Sequence, residues 1–151
     1  MALLNNWDLK DENSSVYQNG KPEQIYMVSD LGATFGRDGL YWPHSKAKGN
    51  LKSYGHSKFI RRSNATTVNF YVPARPQLLY LVHPIDFLEH LSVRWVGRNI
   101  PRSDARWIGG LLSHFSAGQI RDAFRAGGYS PEEVEAFSSI VQERIAQLGE
   151  L

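Results

Sequence analysis

Apolar positions recur at three- and four-residue intervals toward the end of the chain and gather in short β-rich runs near its start. Between these stretches little regularity survives. Val134, Phe137, Val141, Ile145 and Leu148 would share one face of a helix, and "SPEE" at Ser130–Glu133 supplies its capping box. "SAGQ" at Ser116–Gln119 is a second capping box, and the helix it opens should end at Gly127-Gly128. Two further helices are predicted upstream. One is capped by Ser103, with Ile108, Leu111, Leu112 and Phe115 inward. The other starts at Pro84, with Ile85, Leu88, Leu91 and Trp95 as its stripe. Trp95 and Trp107 fall in these patterns and read as core.

Near the start, "SSVYQ" and "QIYMVSD" are short β-rich runs separated by the turn-forming "NGKPE". They predict a β-hairpin with Asp8 before its first strand and Asp30 at the end of its second. Residues 37–83 are rich in Gly, Ser, Asn and Pro and read as a long ordered loop with one strand at "TTVNFYV". The expected architecture is α+β in a single domain, 1–151. Its zones are a hairpin (1–36), an irregular segment (37–83) and a bundle of about four helices (84–151).

Composition narrows the class. A chain of 151 residues with 42% hydrophobic residues can bury one modest core. No apolar run approaches bilayer length, and "MALLNNWDLKDE" turns polar before a signal-peptide core can form. The absence of cysteine excludes disulfides and thiolate metal sites, and a cytoplasmic protein is expected.

The net charge of +2 is ordinary, but its distribution is not. No acid occurs between Asp38 and Asp86, an interval holding Lys46, Lys48, Lys52, Lys58, Arg61, Arg62 and Arg75. Such a segment attracts phosphates, acidic substrates or anionic surfaces, or simply serves as a solvated face. Lys52, Lys58, Arg61 and Arg62 are the candidate substrate- or anion-binding residues. Within "KGNLKSYGHSKFIRR" the cations are interleaved with Tyr54 and Phe59, as in nucleic-acid-binding segments. A second reading of the chain follows: a small basic binding module for nucleic acid or anionic lipid.

The histidines, His44, His56, His83, His90 and His114, form no close metal pair, and no nucleophile-elbow motif is present. Another constellation carries more chemistry. Phosphoryl transfer from ATP needs a carboxylate to orient the attacking hydroxyl, oxygen ligands for the metal, and a cation near the transferred group. Asp8, Lys10 and Asn13 form D-L-K-x-x-N, and Asp30-Leu31-Gly32 follows after the hairpin.

This order resembles the catalytic loop H-R-D-L-K-x-x-N and the D-F-G motif of the protein-kinase-like superfamily, with a hairpin between them. The resemblance covers residues 4–36. It implies Asp8 as catalytic base, Lys10 as a contact to the transferred phosphate, and Asn13 and Asp30 as cofactor-binding ligands of Mg²⁺ or Mn²⁺ beside ATP. Asn6-Trp7 replaces His-Arg, Leu31 replaces Phe, and no A-P-E follows. These departures are similar to the atypical branches, the HipA-like and phosphatidylinositol-kinase-like proteins. The Gly-rich loop and strand lysine of a nucleotide-clamping N-terminal lobe have no counterpart. "GATFGRDG" at Gly32–Gly39 follows the Asp-Leu-Gly and has the wrong spacing. The resemblance thus implies a kinase-like C-terminal lobe, a fragment weakly active or inactive alone. Its partners would be nucleotide, a phosphate acceptor of unspecified class, and a separate N-terminal lobe or partner chain.

Overall fold

The computed structural model describes residues 1–6, 13–18, 20, 24–36, 49–72 and 95–151. They form an α+β protein with two small antiparallel sheets and a helical C-terminal region. The first sheet is a hairpin of β1 (Ser14–Gln18) and β2 (Gln24–Val28), with Ser14 opposite Val28 and Gln18 opposite Gln24. The β-rich composition of the two runs predicted both strands.

Residues 49–72 are more regular than the expected loop. Helix α1 (Leu51–His56) is capped by Asn50, whose side chain accepts the Ser53 amide. Strands β3 (Ile60–Ser63) and β4 (Thr67–Phe70) pair with a bulge between Ile60 and Arg62. The Asn64 side chain closes their turn by accepting from the amides of Thr66 and Thr67 at 2.9 and 2.8 Å. The short β5 (Ile100–Pro101) joins β4, giving the order β3-β4-β5. Only the β4 strand was expected. Asn50 and Asn64 read as generic loop residues, although each is a local cap or turn closer.

Helices α2 (Arg102–Leu112), α3 (Ala117–Ala126) and α4 (Pro131–Gly149) follow. The capping boxes at Ser116/Gln119 and Ser130/Glu133 both form, and all five predicted apolar positions of α4 are buried. Helix α4 serves two clusters. One gathers Tyr54, Phe124, Val134, Phe137, Val141 and Ile145, with Phe35 and Tyr129 packed against it. The other joins Phe59, just before β3, and Val68 of β4 to Ala105 and Leu148.

Helix α2 corrects two expectations. Pro101, not Ser103, occupies the N-cap, and the Ser103 hydroxyl bonds to Asp104. The buried face is Ala105 and Gly109, whereas Ile108, Leu111 and Phe115 are exposed. The reason is close approach to α4: a Cβ on Gly109 would lie 2.7 Å from Leu148 Cβ. Small residues let the backbones meet, and Leu112 alone of the expected stripe turns inward into both clusters. Trp107 is 61% exposed, and Trp95, 71% exposed, lies in a turn rather than a helix. The remainder of the expected Pro84 helix lies outside the described residues.

Arg144 of α4 is 4% exposed. Its guanidinium donates to the carbonyls of Leu3, Tyr54 and Ser57 and to the Ser57 hydroxyl, and it stacks over the Tyr54 ring at 4.1 Å. The acceptors compensate for lost hydration. One buried cation thereby ties the chain start and α1 to the helical core. No helix among the described residues is long and apolar enough to cross a membrane.

Candidate active site

Asn13 and Asp30 meet at the open end of the hairpin. The Asn13 carbonyl accepts the Ser29 amide at 2.9 Å, extending the ladder one step beyond the Ser14–Val28 pair. Asn13 is buried, and Asp30, next along from Ser29, is exposed. A buried asparagine and an exposed aspartate are therefore carried on adjoining backbone segments.

Asp30 adopts a left-handed conformation with φ of 49°. Its carboxylate faces back over the short 3₁₀ turn Leu31–Ala33, accepting the Gly32 amide at a long 3.4 Å. Positive φ is uncommon outside glycine and costs energy that surrounding structure must hold. Two contacts do so. Fully buried Asn6 donates from Nδ2 to the Asp30 carbonyl at 3.3 Å. Farther along, the Phe35 amide bonds to the Leu4 carbonyl at 2.7 Å. The Phe35 ring then enters the core, edge-on to Tyr54, Phe124 and Phe137. The Asp-Leu-Gly segment is thus gripped at both ends, at Asp30 by Asn6 and at Phe35 by Leu4 and the aromatic cluster.

Gly36 completes this grip. Its φ is 75°, and a Cβ there would lie 2.5 Å from the Tyr54 amide nitrogen. The chain can pass so close to α1 only without a side chain.

Asp8 and Lys10 lie outside the described residues. The residues on either side of that stretch, Asn6 and Asn13, both bond to Ser29–Asp30. The positioning residues Asn6 and Phe35 were not singled out in the sequence. Asn6 stood only as a departure from His-Arg, and Phe35 as part of a glycine-rich run. The signals were faint: an Asn pair after an apolar start, and a lone aromatic between two turns.

The four candidate cations are all exposed. Lys52 sits on α1, Lys58 precedes β3, and Arg61 and Arg62 lie in β3. None makes an ion pair among the described residues, and none bonds to Asn13 or Asp30. Tyr54 and Phe59, by contrast, are buried in the two core clusters. Rings packed in a core cannot stack on bases, so the aromatic half of the nucleic-acid reading is corrected.

Burial pushes the Tyr54 phenol up to about 12, against the opposing pull of nearby Arg144. The same burial lowers Arg144 from its usual value. Both groups are structural and lie in the support beneath the site. Among the described residues no three His, Asp or Glu side chains cluster as a metal site.

No family model, no curated protein and no solved structure matches this chain.

Proposed function

We propose that the chain is the C-terminal catalytic lobe of an atypical ATP-dependent kinase. The observation that carries this reading is the junction of Asn13 and Asp30 at the hairpin's open end, with Asp30 held in a strained left-handed conformation. Strain of this kind persists where the surroundings enforce it, and it concentrates at functional sites.

In this reading Asp30 and the Asn13 amide oxygen hold Mg²⁺ or Mn²⁺. Their donor set fits, because both are hard oxygen ligands at one strand end. Two protein ligands are too few for such an ion, so nucleotide phosphate oxygens would have to supply further ligands. The ion would neutralise charge on the triphosphate. Asp8 would orient the acceptor hydroxyl and take its proton, and Lys10 would offset charge on the transferred group.

The hairpin adds support. Val16, Tyr26 and Val28 lie exposed on one face, and Tyr17, Ile25 and Met27 lie exposed on the other. Apolar residues on both faces suit a hairpin covered by a further nucleotide-clamping lobe or partner chain. A chain lacking such a clamp would transfer phosphate weakly by itself.

Thermal unfolding with Mn²⁺ and ATP tests the assignment. Wild type should gain a few degrees in Tm, roughly the effect of a ligand well above its Kd. Asp30→Asn, which tolerates the left-handed backbone, should lose most of that gain. An equal gain in the variant overturns the assignment.

A further inference from the structure

We propose that β3 is a docking edge for an extended acidic polypeptide, which adds to the β3-β4-β5 sheet as another strand. The inference is independent of the kinase reading and uses residues apart from Asn13 and Asp30.

β3 is the outer strand of its sheet and pairs only with β4 among the described residues. An outer strand presents backbone donors and acceptors that template a further strand. The side chains choose which strand. Lys58 leads into β3, and Arg61 and Arg62 lie within it, all exposed and without an ion pair among the described residues. At the bulge Arg62 pairs with Asn69 and Arg61 is the extra residue, so two consecutive cations stand at one step of the ladder. The sequence places no acid between Asp38 and Asp86, so the segment that contains β3 carries no counter-charge of its own.

Three occupants can be compared. A second copy of β3 would set arginine against arginine, which is destabilising across a strand pair. Single-stranded nucleic acid stacks on rings set among the cations, and the two rings of this segment, Tyr54 and Phe59, are both in the core. A strand with carboxylates at alternate positions meets both demands. Its backbone completes the ladder, and one of its faces carries charge opposite to Arg61 and Arg62.

The test uses the full chain and a fluorescein-labelled peptide of alternating Glu and Thr, about eight residues long. Fluorescence anisotropy in dilute salt, about 50 mM, keeps exposed charges effective. The peptide should bind, and Arg61→Gln with Arg62→Gln should weaken binding about tenfold at unchanged Tm. The same peptide with alternate backbone amides N-methylated should bind at least about tenfold more weakly, because it cannot complete the ladder. This comparison needs only the unaltered chain. Equal affinity for the methylated peptide would reduce the edge to a charged surface and overturn the proposal. Absence of binding would leave a strand merely blunted by charge, which also overturns it. Tighter binding of an oligothymidylate of equal charge would make the surface a phosphate site and reject the peptide.

Discussion

Helix α4 buries Val134, Phe137, Val141, Ile145 and Leu148, whereas the β1–β2 hairpin leaves Val16, Tyr17, Ile25, Tyr26, Met27 and Val28 exposed. The two elements are alike in local quality. One has a complete capping box with Pro131 at its start, and the other a continuous antiparallel register. They differ in what lies opposite. Helix α4 packs against α1, α2 and α3, and both core clusters run along it. A two-stranded hairpin is marginal in water without a third strand or a helix over it. Local sequence signals thus decide whether an element forms, and a partner decides whether its apolar face is used. The hairpin's unused faces lie beside Asn13 and Asp30, where a nucleotide and its clamp would sit on the proposed reading.

The sharpest way to break the comparison is to cut the link between the packed region and the site. Arg144 is that link, since its guanidinium holds the carbonyls of Leu3, Tyr54 and Ser57 together. Arg144→Ala should cost about 3 kcal/mol by urea unfolding, because buried acceptors lose their donor and a cavity remains. Hydrogen exchange at the Phe35 amide, which bonds to Leu4, should accelerate more than at Ile145 in the middle of α4. A loss below about 1 kcal/mol would show that residues 1–6 hold their place without the helical core.

Tyr54 probes the same link more gently. Its hydroxyl donates to the Leu3 carbonyl at 2.8 Å, so Tyr54→Phe should cost about 1 kcal/mol. The pH dependence carries a definite sign. The folded phenol ionises near 12, above its ordinary 10, so the unfolded chain releases this proton first. The stabilisation is full below about pH 10 and is lost as pH rises toward 12. Tyr54→Phe should flatten this alkaline limb in urea titrations taken across that window. An unchanged limb would assign the alkaline loss to other groups.

The legibility of the chain follows the range of each interaction. The two capping boxes and the α4 stripe are contained in windows that a reader of sequence can see whole, and they form as read. The facing of α2 could not be read this way. Apolar residues cover a wide arc of it, and only the approach of Leu148 selects Gly109 over Leu111. Residues 49–72 looked irregular because Asn50 begins a helix and Asn64 turns the chain between two strands, each through one side chain. At the candidate site, Asn13 and Asp30 were visible as a motif. Asn6 was not, since its role is a contact with a carbonyl far along the chain. Tyr54 and Phe59 show the converse error. Beside lysines in sequence they suggested a binding face, and packing with Phe137 and Val68 took both rings inward.

The smallest expected effect tests the other side of the comparison. Tyr26 and Met27 occupy opposite faces of the hairpin, opposite Val16 and Ser15 respectively. Tyr26 is 68% exposed, and among the described residues its hydroxyl bonds only to the exposed side chain of Gln24, two residues away. Replacing both by Thr preserves β-propensity and removes only exposed apolar surface, so stability should change by no more than about 0.5 kcal/mol. Removing a covered face is different: each buried large side chain contributes about 2 kcal/mol or more. A loss of several kcal/mol from the double substitution would therefore mean that both faces are covered in solution. The contrast with α4 would then vanish. A change near zero would keep the contrast and leave the surface beside Asp30 open to a partner.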